Sequence, residues 1–553
     1  MSTPLATHEV VNQPPPFEGV NLFTSDAALK DAVLREGGGW GQERLAAFGA
    51  WLGQPDVQRL GDQANRCVPQ LKTHDRFGHR IDQVEFHPAW HDLMTRAVAE
   101  QVHALPWAEP RAGAHVVRAA SAFMLNQVEA GVCCPMAMTF AAIPALRDGP
   151  GIAAAWEPKI LSADHDPSCQ PVERKRGALI GMAMTEKQGG SDVRANTTRA
   201  AAIGDGAYEL VGHKWFCSAP MSDAFLTLAR TEGGLSCFFL PRWRPDGSRN
   251  DIHIQRLKDK LGNRANASAE IEYANAFAHL LGEDGQGVRT IIKMVHHTRL
   301  DAAISAAGLM RQALAQALHH AAHRSAFQKK LIDQPLMVNV LADLALEGEA
   351  ATALVMRLAG AFDRASGDAV ERDFGRLATA IAKYWICKQA PRVIVEALEC
   401  LGGNGYVEES ILPRLYREAP VNSVWEGSGN VICLDVLRAI DRRPEALDAL
   451  LDDLEKARGA DRRFDVRLDR LKAGWLDQAR WEGQARILVE QLALLLTGAL
   501  LVRHAPSAVA DAFCASRFGD DRSGGQFGTL PRGLDCGAVI ERARPIAADH
   551  PGD

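Results

Sequence analysis

The pattern of hydrophobic and polar residues changes along the chain. Long segments rich in Ala and Leu, with apolar residues at helical spacing, occupy both ends. Short apolar or alternating runs, separated by turns rich in Gly and Asp, occupy the middle. Helical spacing predicts buried or amphipathic helices, whereas short runs between turns predict strands. We therefore expect a mainly α-helical protein with a central antiparallel β-domain.

These patterns divide the chain into four regions. We assign residues 1–177 to an N-terminal helical domain, 178–286 to the β-domain, 287–440 to a four-helix bundle and 441–553 to a helical extension. Residues 117–138 are apolar all round and predict a buried helix. The predicted strands are 178–185, 208–217, 224–230, 235–240 and 268–273, and the predicted bundle helices are 298–324, 336–365, 374–401 and 428–440. Long helices joined by short loops favour an antiparallel bundle.

Composition narrows the class of protein. The 553 residues include 47% hydrophobic and 24% charged residues and carry a net charge of −6, which excludes a disordered chain and a polycation. Eleven scattered cysteines without a CxxC pair favour reduced thiols, and residues 1–20 lack the features of a secretory signal, so we expect a cytoplasmic protein. The longest apolar run, 487–502, is shorter than the roughly 20 residues of a spanning helix, so we expect a buried helix and no membrane partner.

Two motifs in the β-domain could contact a planar, phosphate-bearing ligand. Met184-Thr-Glu-Lys-Gln-Gly-Gly-Ser-Asp192 follows a predicted strand, and its glycines let backbone N–H groups approach an anion. In His213-Lys-Trp-Phe-Cys-Ser218, the Trp215 ring could stack on a cofactor and the Ser218 hydroxyl could bond to it. Taken alone, each motif is also consistent with a plain β-turn or a strand with a core tryptophan.

Two further motifs lie in the bundle. In the segment from Arg324 to Gln334, Arg324 could clamp a pyrophosphate and Phe327 could cover an adenine, or the segment could simply be a helix end with favourable basic residues. A Gly-rich turn after the third bundle helix is followed by Trp425-Glu-Gly-Ser-Gly-Asn430. Glu426 could act as a carboxylate base with a pKa raised by apolar neighbours, or the segment could be a helix cap. No metal site is expected, because His319 and His323 lack a third ligand.

In this order and at these spacings, the motifs resemble those of the acyl-CoA dehydrogenase family of FAD enzymes. The matching positions are Thr185, Gly189, Gly190, Ser191 and Asp192, then Trp215 and Ser218, then Arg324 and Phe327, and finally Gly402, Gly403, Glu426 and Gly427. The resemblance implies a helical domain, a β-barrel-like domain and a four-helix bundle, with FAD bound between them and a homotetramer.

The resemblance also implies roles for individual residues. Glu426 would be the base that removes the α-proton of an acyl-CoA, with flavin N5 as the hydride acceptor. Some relatives carry their base just before an Arg in the first bundle helix, but this chain has Thr298 there. The implied FAD-binding residues are Met184, Thr185, Gly190, Ser191, Trp215, Ser218, Arg324, Phe327, Gln334, Gly402, Gly403, Ser428 and Asn430.

A closer resemblance is to the AidB subfamily, which is linked to the adaptive response to DNA alkylation. The segments similar to that subfamily are residues 184–193, 212–215, 256–263 and 425–430, together with the long N-terminal lead and the extension after residue 440. This resemblance implies an FAD protein that binds double-stranded DNA and has modest acyl-CoA oxidation.

Charge in the extension is uneven. Residues 441–553 contain 17 Lys and Arg against 19 Asp and Glu, which excludes a simple basic domain. Residues 456–472, however, hold seven basic residues against three aspartates. The candidate DNA-binding residues are Arg463, Arg467 and Arg470 at helical spacing, with Arg438, Arg442 and Arg443 as a second group. The alternative is a solvated helix with internal salt bridges. No helix-turn-helix or zinc-finger pattern is present, so any binding should be sequence-nonspecific.

Three hypotheses on function follow. The chain is a DNA-associated flavoprotein that protects DNA from alkylation, a metabolic acyl-CoA dehydrogenase without a DNA role, or a flavin-stabilised DNA-binding protein without physiological catalysis.

Overall fold

The computed structural model describes residues 8–474, 482–519 and 525–545. Residues 1–7, which belong to the segment compared with a secretory signal, lie outside the described residues. The first region is helical with one β-hairpin. Its elements are α1 Ala27–Arg35, α2 Gln42–Leu52, α3 Pro55–Arg66, β1 Gln70–His74, β2 Arg80–Glu85, α4 Pro88–Ala99, α5 Leu105–Ala108, α6 Ala114–Asn126, α7 Ala130–Leu146 and α8 Pro150–Ile160.

The prediction of one helix over 117–138 was wrong, because the segment forms α6 and α7. The chain breaks at Glu129, whose side chain turns back to accept a hydrogen bond from the Gly131 backbone N–H at 2.8 Å. A carboxylate at this position caps the new helix N-terminus, a local contact that outweighs the continuous apolar pattern. Both helices are buried almost all round, as the pattern predicts.

The central region is a sheet that curls on itself. Its strands are β3 Ile180–Ala183, β4 Arg199–Gly204, β5 Ala207–Ser218, β6 Ala224–Thr231, β7 Gly234–Pro241, β8 Ile252–Leu257 and β9 Ser268–Leu281. The order is β3-β6-β4-β5-β9-β7, with β8 beside β9 and a further pairing of β6 with β7. The sheet is largely antiparallel, as predicted, but β3 pairs with β6 in parallel. The sequence pattern missed β4 because nearly all its side chains are exposed.

The bundle follows the sheet. Its elements are α9 Gly287–His323, the short β10 Ser325–Ala326 and β11 Lys329–Lys330, α10 Pro335–Arg364, α11 Ala369–Cys400, α12 Gly403–Tyr406, α13 Leu412–Asn422 and α14 Gly429–Arg442. The helix α9 packs against α7, α10 and α11 and is buried on most sides, which its alanine-rich sequence allows. It therefore connects the first region with the bundle.

The extension is helical and packs on the bundle. It contains α15 Pro444–Glu455, α16 Arg462–Gly474, α17 Ala485–His504, α18 Ser507–Phe518 and α19 Cys536–Ala543. The apolar run 487–502 lies within α17, which contacts α10, α11, α14 and α18. In the described residues, one helix is long and apolar enough to cross a membrane, but 72% of its apolar window is buried inside the protein. The burial matches the predicted core helix.

Candidate active and cofactor site

The candidate base lies in a tight turn between α13 and α14. Glu426 has a φ of +58°, in the left-handed region that residues with a side chain rarely adopt. Two cations from the bundle hold the turn: Arg299 Nε donates to the Glu426 carbonyl at 3.0 Å, and Lys383 Nζ donates to the Gly427 carbonyl at 2.5 Å. Trp425 Nε1 donates to Asn422 Oδ1 at 3.2 Å. The strained backbone is thus fixed from three sides, which is typical of a functional site.

The electrostatics of the Glu426 carboxyl favour a base. Burial raises its pKa above the ordinary value, while the hydrogen bond with Thr298 and the charges of Arg299 and Lys383 act in the opposite direction. Its Oε2 atom is buried and has no hydrogen-bond partner among the described residues. A buried carboxylate oxygen without a partner is costly, so this atom is placed to contact something other than the protein.

Apolar side chains lie close to this turn. They belong to the core cluster between α7 and the sheet, and its partly buried members from the sheet and the turn are Met182, Met184, Met221 and Trp425. Methionine and tryptophan side chains suit a flat ligand, because thioethers are polarizable and rings stack. Met184, which the family resemblance implies as an FAD-binding residue, is one of these side chains.

The two β-domain motifs lie side by side. The Trp215 backbone N–H donates to the Thr185 carbonyl at 2.8 Å. A Cβ atom on Gly190 would lie 2.5 Å from Thr185 Oγ1, so any other residue here would force the Thr185 side chain or the loop to move. Ser191 is exposed at the tip of the same loop. The Ser218 Oγ atom lies at the C-terminal end of β5, three residues after Trp215 and 3.3 Å from Ser268 Oγ.

Sequence reasoning missed the ion pair that holds this loop. Glu186 and Lys214 are both fully buried and their Oε1 and Nζ atoms are 2.8 Å apart. The Glu186 carboxylate also accepts hydrogen bonds from the backbone and hydroxyl groups of Thr197 and Thr198. The only sequence signal is a charged residue in each motif, which does not reveal that the two charges meet.

The β-domain motifs and the Glu426 turn form the first group of predicted cofactor residues. The motifs after α9 and α11 form a second group, which contacts the N-terminal lead, the segment that precedes α1. Arg324 Nη1 donates to the Asn12 carbonyl at 2.6 Å, and Asn404, next to Gly403, donates through Nδ2 to Gln13 Oε1 at 3.0 Å. Gln334 Nε2 closes the loop by donating to the Ala326 carbonyl at 3.0 Å.

The second group faces outward. The Phe327 side chain, in the loop after α9, is 95% exposed. Gly402 has a φ of +59°, and a Cβ atom on Gly402 or Gly403 would meet nothing within 4 Å. This group therefore presents an open surface.

The two groups lie far apart on one chain. Thr298, beside Glu426, and Arg324 are 26 positions apart on α9 and its C-terminal cap. At 1.5 Å per residue this is about 40 Å along the helix. One dinucleotide cannot reach both groups of the same chain.

The extension contributes to the first group, which the sequence did not predict. Arg486, just inside α17, donates through Nε to Asn430 Oδ1 at 2.8 Å. Ser428 is the N-cap residue of α14 and makes no side-chain cap hydrogen bond. The extension thus contacts the turn that follows Glu426.

The predicted DNA-binding arginines differ in their surroundings. Arg463 pairs with Asp461 at 2.6 Å and Asp511 at 2.7 Å, Arg443 with Asp373 at 2.8 Å, and Arg438 with Asp435 at 3.1 Å. Arg467 is half-buried. Arg442 and Arg470 are exposed, and so is Arg462, which the sequence analysis did not select. Aspartates nearby and distant in the sequence therefore neutralise part of the predicted basic surface.

Comparisons with known proteins agree with this architecture. Three family models match: the adaptive response protein AidB N-terminal domain at residues 12–167, the acyl-CoA dehydrogenase middle domain at 181–276 and the acyl-CoA dehydrogenase C-terminal domain at 285–440. The "Putative acyl-CoA dehydrogenase AidB" of Escherichia coli (strain K12) is 50% identical over 510 residues, covering 92% of this chain and 94% of that protein. Acyl-CoA dehydrogenase family member 11 of Caenorhabditis elegans is 32% identical, covering 84% and 81%.

Solved structures confirm the predicted fold class. The crystal structure of Caenorhabditis elegans ACDH-11 in complex with C11-CoA matches with a TM-score of 0.83 and 28% identity, covering 93% of this chain and 92% of that chain. Butyryl-CoA dehydrogenase from Megasphaera elsdenii, at 21% identity, shares the fold with a TM-score of 0.58, covering 75% and 98%. The chain therefore belongs to the acyl-CoA dehydrogenase family of FAD-binding oxidoreductases, and within it to the AidB subfamily.

Proposed function

We propose that this protein oxidises an acyl-CoA, with Glu426 as the base that takes the α-proton, and that it also binds double-stranded DNA as part of a response to alkylation. The observation that carries the first part is the Oε2 atom of Glu426, which is buried in a strained turn and has no hydrogen-bond partner in the part of the chain that the structure describes. FAD, when bound, supplies the acceptor for the hydride that leaves the β-carbon.

The residues present fit a flavin at two half-sites. The first contains Met184, Thr185, Gly190, Ser191, Trp215, Ser218, Ser428 and Asn430, and the second contains Arg324, Phe327, Gln334, Gly402 and Gly403. Because about 40 Å of α9 separates them, we assign the second half-site to the FAD of a second copy of this chain. The exposed apolar side chains beside it support this assignment: Phe327 is 95%, Leu336 82% and Tyr406 79% exposed. A homotetramer would cover such a surface.

The chain's own groups suit proton removal. The Arg299 and Lys383 side chains hold the turn through its carbonyls, and their positive charges oppose part of the rise in the pKa of Glu426 that burial causes. Burial raises the pKa of the carboxyl, which makes its ionised form a stronger base. The apolar side chains of the cluster that includes Trp425 would limit the access of water to the reacting atoms. All eleven cysteines are free, which supports a reducing compartment such as the cytoplasm.

An anaerobic titration tests the oxidation. Protein reconstituted with FAD should lose its visible flavin absorbance when acyl-CoA is added, and C11-CoA, the ligand bound by the Caenorhabditis elegans relative, is a suitable first substrate. A series of straight and branched acyl chains then defines the substrate class. Flavin that binds but stays oxidised with every acyl-CoA would support the flavin-stabilised DNA-binding protein instead.

Exposed arginines on the extension and on the end of the bundle favour the second function. Arg442, Arg462 and Arg470 are exposed and make no ion pair with the parts of the chain that the structure describes. Arginine suits phosphate contacts, and contacts made only to phosphates are independent of base sequence. The subfamily's link to adaptive response supports a DNA partner.

We expect duplex affinity to fall as a power of salt concentration. Each arginine that contacts a phosphate contributes about 0.9 to the slope of log K against log salt. The double replacement Arg462→Ala and Arg470→Ala should therefore lower the slope by about 2, measured by fluorescence anisotropy with a labelled duplex at several salt concentrations. Arg463→Ala is the matched control on the same helix, since Arg463 is already paired with two aspartates. A duplex affinity that does not depend on salt would contradict the phosphate contacts, and the absence of duplex binding would point to a metabolic dehydrogenase without a DNA role.

A further inference from the structure

A chain of polar contacts leads from a lysine to the hydroxyl of Ser218. Lys260 Nζ donates to Ser268 Oγ at 2.9 Å, and Ser268 Oγ lies 3.3 Å from Ser218 Oγ. Lys260 also donates to the Asn266 carbonyl at 2.6 Å. Ser268 and Ser218 face each other across the β9–β5 pairing, so the sheet fixes the distance between the two hydroxyls.

Lys260 determines which group donates and which accepts in each of these hydrogen bonds. An ammonium group can only donate hydrogen bonds, so Ser268 Oγ must accept from Lys260. The Ser268 O–H is then free to donate to Ser218 Oγ. When Ser218 accepts this hydrogen bond, its own O–H remains to donate to a further acceptor. Without the lysine, either serine could donate to the other.

The surrounding residues hold Lys260 in place. Asn263, three residues later, has a φ of +53°, and its backbone N–H and side-chain Nδ2 both donate to the Glu418 carboxylate on α13, the latter at 2.8 Å. Burial lowers the pKa of Lys260, while the nearby carboxylates of Glu418 and Glu129 act in the opposite direction. Lys260 is therefore a half-buried cation on an anchored loop.

Cys134 is a second neighbour of the Ser218 hydroxyl. The Cys134 side chain lies close to Ser218, and burial raises the pKa of this thiol to about 12, so the thiol is neutral. Ser218 thus lies between a neutral thiol on α7 and the Lys260–Ser268 chain.

We propose that Lys260 is a positioning residue for the bound flavin: acting through Ser268, it makes the Ser218 hydroxyl a hydrogen-bond donor towards the cofactor and so increases the cofactor's affinity for electrons. This inference rests on the proposed function, because it takes Ser218 as a residue that contacts FAD. A donor and a nearby positive charge both stabilise the electron-rich reduced cofactor.

The test is the reduction potential of the bound flavin in Lys260→Met, measured by titration against a reference dye. Hydrogen bonds to charged groups are stronger than those between neutral groups, so we expect the equilibrium constant for reduction to fall at least about tenfold, which is about 30 mV for a two-electron couple. Ser268→Ala should shift the potential in the same direction, since it removes the link to Ser218 but keeps the Lys260 bond to Asn266. The double variant should show less than the sum of the two shifts.

Control measurements separate the possible outcomes. Lys72→Met removes the same charge from the exposed β1–β2 hairpin and should leave the potential unchanged. Wild-type protein that never binds FAD would contradict the proposed function itself. Flavin that binds to all variants with an unchanged potential would contradict only the role of Lys260. If Lys260→Met fails to bind flavin, Ser268→Ala decides alone, and an unchanged potential in that variant overturns the inference.

Discussion

Glu426→Gln is expected to slow acyl-CoA-driven flavin reduction by about 10²- to 10⁴-fold while FAD stays bound, because a positioned general base contributes a factor of this size. The amide fills the same volume in the turn and keeps the backbone carbonyls that Arg299 and Lys383 hold. Rapid mixing of oxidised enzyme with acyl-CoA under anaerobic conditions measures the rate directly from the loss of visible absorbance.

The dependence of this rate on pH gives a second readout. The pKa of Glu426 is raised by burial, and only the ionised carboxylate accepts a proton. The wild-type rate should therefore increase as pH rises through this raised pKa and then level off, and the residual rate of Glu426→Gln should lack that increase. Glu283→Gln makes the same chemical change on an exposed loop between β9 and α9 and serves as the control. Unchanged reduction in Glu426→Gln would exclude Glu426 as the base.

Glu186→Gln is expected to lower the free energy of unfolding by about 3–5 kcal/mol, because removing one partner of a buried ion pair leaves the other charge without compensation. The remaining charge is the Lys214 ammonium, which is fully buried. Urea unfolding followed by tryptophan fluorescence measures the loss, since Trp215 is adjacent to Lys214. Loss of the loop geometry around Thr185 should also weaken FAD binding.

Two comparisons test the cause of this loss. Lys214→Met should be milder, because the Glu186 carboxylate keeps the hydrogen bonds from Thr197 and Thr198. In Glu186→Gln, the pKa of Lys214 in the folded protein lies below the value in the unfolded protein. Between these two pKa values the unfolded state binds more protons than the folded state. The free energy of unfolding should therefore increase with pH in this range, by up to about 1.4 kcal/mol per pH unit. Already in the wild-type protein, burial lowers the pKa of Lys214 to about 8. Equal losses in both single variants at every pH would contradict this account.

The hydrophobic pattern was sufficient to predict elements whose structure depends mainly on their own residues. The run 487–502 predicted the buried helix α17. The family resemblance implied that Thr185, Trp215 and Glu426 belong to one FAD site, and this assignment stays a prediction. The strand β4 was missed because its exposed side chains carry no alternation of buried and exposed residues.

Contacts between distant parts of the chain could not be predicted in this way. The helical spacing of Arg463 is visible in the sequence, but its partner Asp511 is 48 residues away and reduces the free charge. The contact of Arg486 with Asn430 joins residues 56 positions apart. Each of these pairs depends on how helices pack, and a period of 3.6 residues contains no such information.

The N-terminal lead has a practical consequence for anyone who prepares this protein. Asn12 makes three hydrogen bonds to Arg324 and Ser325, at 2.6 Å to 2.8 Å, and Gln13 contacts Asn404 beside Gly403. A truncation that removes these two residues would remove the contacts that both loops make with them. Colour lost from such a preparation would reflect the handling of its amino terminus and not a weak intrinsic affinity for the yellow cofactor.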